Sequence, residues 1–261
     1  MQKKIDTGTE QLLACFDRGI ITLKLNNPRY KNALSENLTP YLRRILKKIN
    51  KDSKYKLLVL KGVGDSFCSG GNIRGMNKKE KPESIEKKIN NLTKKQKELT
   101  GELYNLKVPS IAAITGPAAG AGFSLALACD FRIGNKNSFF VSNYSKIGLS
   151  GDYGISWFLT NLLGEAKAKE IMMLNYRIYA DEALKLGLLN FLFKSKLDAN
   201  VSNICNEIVS QSSLAIRHIK NNIHAYRKNK LEKIFKIEAR NLLECSYSNE
   251  HKLAVANFTK K

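Results

Sequence analysis

Residues 109–130 read PSIAAITGPAAGAGFSLALACD, a short apolar strand, a glycine-rich turn and an apolar helix in immediate succession. Residues 111–114 have the character of a buried strand, and residues 123–129 continue as helix. Between them Gly116, Gly120 and Gly122 let the backbone turn tightly and approach a ligand closely. The first N–H groups of a helix lack partners within it and lie at the positive end of its dipole. A second turn of the same kind, FCSGGNI at residues 67–73, follows the apolar strand LLVL at residues 57–60. Two such turns can aim two amides at one oxygen. Neither is a phosphate loop of the familiar kinds, because GxxxxGK[ST] is absent and the glycine spacing differs from GxGxxG.

The 261 residues, 43% of them hydrophobic, suffice for one large domain with an appendage. A net charge of +21 is compatible with RNA, an anionic membrane surface or a polyanionic small ligand. Lysines outnumber arginines 34 to 10, which points to compositional bias more than to specific phosphate reading. The densest block, residues 78–97, carries eight lysines against three glutamates and suits a solvated helix face, with a CoA-phosphate or RNA patch as the alternative. Cys15, Cys68, Cys129, Cys205 and Cys245 are widely spaced and have no histidine at metal-ligand spacing. They are expected to be free thiols of a reducing cytoplasm. With no signal-like run at the start and no stretch of about 18 apolar residues, a cytoplasmic protein that binds no membrane is expected.

Residues 12–16 and 20–25 pattern as a hairpin around Asp17, Arg18 and Gly19, and Leu38, Leu42, Ile45, Leu46 and Ile49 line one face of a following helix. Strand, motif loop and helix then repeat twice, and from about Asn200 the pattern is helical. A boundary near Leu197 divides a core, residues 1–196, from a helical region, residues 197–261. The apolar faces Ile216, Ile219, Ile223, Tyr226 and Leu231, Ile234, Ile237, Leu242 exceed what such a tail buries alone, so oligomerisation is expected. His218, His224 and His251 fall there with no acid or serine motif beside them and are expected at the surface or an interface. Asp130, ending the helix after the glycine turn, is expected to be a structural hydrogen-bonding residue.

In order, Asn27-Pro28 with Asn32-Ala33-Leu34, FCSGGNI, VPSIAAITGPAAGAGFSLALACDFRI, KIGLSGDYGISWFLTNLLG and ADEALKLGLLN resemble the crotonase (enoyl-CoA hydratase/isomerase) superfamily. The resemblance spans roughly residues 5–195. It implies an α/β fold, a crotonase-like spiral of ββα repeats with a C-terminal helical trimerisation region. It also implies an acyl-CoA substrate whose thioester oxygen is held by the amides of Gly71 and Ala121, and it calls for no metal and no cofactor beyond the CoA of the substrate. Ser69, Asn72 and Ile73 would line the same hole. Arg74 and Lys31 are candidates for the CoA phosphates, and Ala33, Gly148 and Leu149 complete the expected surroundings of the substrate. The assembly implied is a homotrimer or a dimer of trimers, with the neighbouring subunit's Phe258 and Lys261 within reach of the CoA.

Typical hydratases of the superfamily carry two glutamates where this chain has Ser124 and Tyr144. Neither hydroxyl is a good base at neutral pH, so hydration by a glutamate pair is not supported. Asp152, in GLSGDYG at residues 148–154, resembles the acid of the GLxPDxGG stretch in the isomerase branch that includes 1,2-epoxyphenylacetyl-CoA isomerases, with Gly151 in place of the proline and Ile155 in place of the last glycine. The competing reading is that Asp152 caps the helix starting near Ile155. As a base it would isomerise 3-enoyl-CoA to 2-enoyl-CoA, its pKa raised by apolar neighbours such as Phe67, Trp157 and Phe158. Tyr144 is a candidate acyl or proton-relay contact. A hydratase or lyase using Asp152 with a hydroxyl partner, and an RNA-binding or non-catalytic protein, are the alternatives. Whether the pathway is fatty acid metabolism or aromatic degradation is open.

Overall fold

The computed structural model describes residues 3–72, 83–225 and 228–259. The expected hairpin is β2 (Leu12–Asp17) and β3 (Ile20–Leu25), joined through left-handed Arg18 and Gly19 and flanked by β1 (Lys3–Ile5). Helix α1 (Thr39–Lys51) lays Leu42, Ile45, Leu46 and Ile49 against the core and leads to β4 (Leu57–Gly62). After α2 (Ile85–Gln96), a π turn at Lys97–Gly101 and the short α3 (Glu102–Tyr104), the chain enters β5 (Ser110–Ile114), β6 (Pro117–Ala119) and α4 (Ala121–Leu127). There follow β7 (Phe131–Asn135), β8 (Phe139–Val141), α5 (Ile155–Leu163), α6 (Glu165–Leu174), β9 (Ile178–Tyr179), α7 (Ala180–Lys185) and β10 (Phe191–Phe193). Helices α8 (Leu197–Ser210), α9 (Ser213–Ala225), α10 (Lys228–Ser246) and α11 (Asn249–Thr259) complete the described chain.

One sheet has the order β1-β2-β3-β4-β5-β7-β10, antiparallel at its start and parallel from β3 onward, and a second has the order β6-β8-β9. The continuous apolar run in β4 has a simple cause: Leu58 and Leu60 face the main core, whereas Leu57 and Val59 face a second cluster with Val201 and Cys205 of α8. Burial on both faces removes the alternation that a half-solvated strand would show. Cys68 and Cys129 are equally enclosed, and burial pushes both thiols up to about 12. All five cysteines are unpaired. Among the described residues no helix is long and apolar enough to cross a membrane.

The C-terminal helices fold back on the rest of the chain. Lys220 of α9 reaches Asp130 at 2.6 Å and the Val108 carbonyl at 3.0 Å, while Asp130 also accepts from the Ser110 amide and hydroxyl. Asp130 therefore has the structural role expected of it. The histidines differ from expectation. His224 stacks on Tyr104 with centroids 4.0 Å apart and lies 3.8 Å from Asp130, and burial together with Lys220 pushes it down to about 4. His251 of α11 is buried with its ring on the Ile147 carbonyl. His218 alone is exposed. Sequence spacing could not show the acid near His224, because Asp130 lies far upstream and only the fold brings it there.

Candidate active site

The two glycine turns pack directly on each other. Cys68 pairs with Ala118 in a parallel bridge, and Cys68 O accepts the Ala119 amide at 2.9 Å. Gly70 takes φ +92°, and a Cβ there would sit 2.7 Å from Ala119 O and 3.1 Å from Ala121 N. A Cβ on Gly122 would lie only 2.2 Å from Cys68 O. Glycine is thus required at both positions by backbone-to-backbone contact, and at Gly70 by its positive φ as well. Gly122→Ala is expected to cost about 1–3 kcal/mol in urea unfolding, because neither carbonyl nor helix can yield without disturbing the other turn. A parent-like midpoint would show that the turns are not held this closely.

On the other side, Leu34 bridges Gly71 and donates to Gly70 O at 2.7 Å, and the Ser69 amide donates to Lys31 O at 2.9 Å. Buried Asn32 ties this loop down, accepting from the Asn27 amide and donating to Val63 O and Ser66 O. Ala121 is the first residue of α4, so its N–H has no helical acceptor, and Gly120 turns into the helix at φ 51°, ψ −125°. The amides of Gly71 and of Ala121 are thus both left without an acceptor among the described residues.

Asp152 stands beside these turns. Tyr144 donates its hydroxyl to Asp152 Oδ1 at 2.5 Å, and Ser124 Oγ donates to the Asp152 carbonyl at 3.0 Å. The Tyr144 ring in turn lies 3.9 Å from where a Cβ on Gly120 would be. Burial pushes the Asp152 carboxyl up to about 7, the Tyr144 hydrogen bond opposing the rise and Glu238 adding to it. Burial, with Asp152 second, holds Tyr144 well above its ordinary value, so the phenol remains a proton donor to the acid. The capping reading of Asp152 does not hold. No side chain of its own loop caps α5; Glu238 of α10 binds the Gly154 and Ser156 amides instead.

Other expected contacts are distributed unevenly. Ser69 and Gly71 are partly buried and Asn72 exposed at the rim of the first turn, with Ala33 buried behind it and Lys31 exposed. Tyr144 and Leu149 are buried. Gly148 is covered from within the chain: a Cβ there would lie 2.7 Å from His251 Cα. Trp157 and Phe158 form an aromatic cluster with Tyr104, as ordinary core. Ile73, Arg74, Lys261 and Tyr226 lie outside the described residues, and Phe258 belongs to α11. Gln96 and Glu238, which bind the loop of Asp152, were not singled out by sequence, where both resemble ordinary polar helix positions. A groove of about 680 Å³ along β1 and β2, lined by Thr7, Leu13 and Cys15 among others, shares no residue with these turns.

An α/β spiral in which two neighbouring parallel strands end in glycine turns laced to each other is the crotonase fold. A profile described as enoyl-CoA hydratase/isomerase matches residues 16–261. A 1,2-epoxyphenylacetyl-CoA isomerase of Escherichia coli is 28% identical over 230 residues, covering 85% of each chain. A short-chain-enoyl-CoA hydratase of Clostridium acetobutylicum is 29% identical over 249 residues, covering 93% of this chain and 92% of its own. The crystal structure of an enoyl-CoA hydratase/isomerase from Pseudoalteromonas atlantica superposes with a TM-score of 0.85 at 25% identity, covering 96% of this chain and 97% of that one. The chain belongs to the enoyl-CoA hydratase/isomerase family, whose members act on acyl-CoA thioesters.

Proposed function

We propose that the protein isomerises 3-enoyl-CoA to 2-enoyl-CoA. The observation that carries this reading is Asp152, whose carboxylate accepts the Tyr144 hydroxyl and whose backbone carbonyl accepts the Ser124 hydroxyl, from the two positions where typical hydratases have glutamates. A hydratase needs two groups that share the work of activating a water and protonating carbon. A 1,3-proton shift needs one base that takes a proton and returns it. Asp152 removes a proton from C2, the dienolate oxygen forms against the amides of Gly71 and Ala121, and the proton returns at C4. Each preorganised donor of this kind is worth ~3 kcal/mol to the transition state. The cycle consumes nothing, so no metal or cofactor is called for.

A spectrophotometric screen with 3-enoyl-CoA and 2-enoyl-CoA substrates tests the assignment. Conversion of the first class without hydration of the second is the expected result, and hydration without isomerisation would overturn it. Because the base must be ionised, kcat should rise with pH through a limb near the value of about 7 to which Asp152 is pushed. A kcat that stays flat from about pH 5 to 9 would exclude Asp152 as the titrating base.

The same reading takes the protein as a homotrimer or a dimer of trimers. Leu214 (66% exposed), Ile219 (53%) and Ile223 (68%) on α9 and Leu253 (65%) on α11 leave apolar surface uncovered by the chain itself. Light scattering at micromolar concentration should give three or six times the chain mass, and a monomer would refute the assembly.

A further inference from the structure

The loop that carries Asp152 is strained and is gripped from outside. Gly151, Tyr153 and Gly154 take φ of 122°, 55° and 82°. A left-handed non-glycine residue such as Tyr153 costs of order 1–3 kcal/mol and persists only where its surroundings hold it. The holding groups come from distant helices. Gln96 Oε1, at the end of α2, accepts the Tyr153 amide at 2.9 Å. Glu238 of α10 accepts the Gly154 amide at 2.6 Å with one oxygen, and with the other the Ser156 amide at 3.0 Å and the Ser156 hydroxyl at 2.5 Å. Three donors converge on one buried carboxylate.

We propose that Glu238 is the positioning residue for Asp152, gripping the backbone just beyond the acid so that its carboxylate meets Tyr144 at the glycine turns. This inference rests on the reading of Asp152 as the base. A plain helix cap would explain the bonds to Gly154 and Ser156, but it would not by itself concern the acid. The link to the acid is that the gripped amides lie two and four residues beyond it, across the strained Tyr153, and that the Glu238 charge is felt at Asp152. Burial pushes the Glu238 carboxyl up, while its three hydrogen-bond donors favour the ionised form. The groups facing Asp152 are Tyr144 and Glu238, and those facing the adjacent Tyr153 include Arg43 of α1 and Cys68. Glu238 therefore acts on Asp152 both by placement and by charge.

The test uses two variants of the whole protein, with 3-enoyl-CoA as substrate. Glu238→Gln keeps the size and removes the charge, whereas Glu238→Asp keeps the charge and withdraws it by one methylene. Both should lower kcat about tenfold or more with KM within about twofold, as expected for a misplaced reacting group. Glu238→Gln should also move the acid limb of kcat to lower pH, since the negative charge that disfavours ionised Asp152 is gone. In an Asp152→Asn background Glu238→Gln should change the residual rate by less than about twofold. A Glu238→Gln protein that melts lower but keeps the parent kcat, KM and limb is a mere cap and overturns the inference. If Asp152→Asn turns over at the parent rate, the base assignment itself fails, whatever Glu238 does; a dead Asp152→Asn beside an unaffected Glu238→Gln fails the positioning role alone. Should the Glu238 variants not fold, Ser156→Ala removes one bond and leaves the carboxylate. It should lower kcat about two- to threefold at unchanged KM. An unchanged kcat there would also overturn the inference.

Discussion

Asp152→Asn is expected to lower conversion of 3-enoyl-CoA by a factor on the order of 100 or more while leaving acyl-CoA affinity in place. Asparagine keeps the size of the side chain and an oxygen to accept the Tyr144 hydroxyl, so the pocket retains its shape and loses only the base. The substitution should also stabilise the fold. Asp152 is pushed from 3.8 up to about 7, so the folded state holds its proton more tightly than the unfolded chain does. Stability from that proton is complete below the unfolded value and is lost as pH rises through the folded one. At about pH 8 the parent carries a charge it disfavours, and the neutral variant should melt higher. Near-parent turnover in calorimetrically folded Asp152→Asn would end the mechanism proposed here and direct attention to Tyr144 and Ser124.

Ala121→Pro should cost about 10²–10³ in kcat, or ~3 kcal/mol of transition-state stabilisation, by deleting one of the two donors proposed for the thioester oxygen. The position makes this a clean experiment. Ala121 is the first residue of α4, where proline is readily accommodated because the missing N–H had no helical partner. The ring takes the place of the amide hydrogen, so the melting temperature should stay close to the parent's while catalysis collapses. Gly71→Pro removes the other donor, but it alters a loop paired to Leu34 and is a less selective change. A folded Ala121→Pro protein with parent-like kcat would rule out that amide as an oxyanion donor.

Much of this molecule is legible in its sequence for reasons that are local. Glycine at 70, 120 and 122 is required by positive φ or by backbone contact, and that requirement leaves a mark at the position itself. The strand in residues 57–60 announces its burial on two faces by lacking any polar residue. The hairpin and α1 follow from alternation and from a single apolar face. The sequence by itself determined the strands β2 to β5, the paired turns, the missing glutamates and the acid at 152. The tertiary structure alone decided which groups that acid meets. Its side chain turns to Tyr144 and leaves α5 to be capped by Glu238, a residue 82 positions beyond Ser156 that reads in sequence as one more charge on a helix. The same holds for Lys220 on Asp130 and His251 on Ile147. Hydrogen bonds across such distances impose no periodicity and no neighbouring motif on the chain, and they form only when the C-terminal helices have closed over the core.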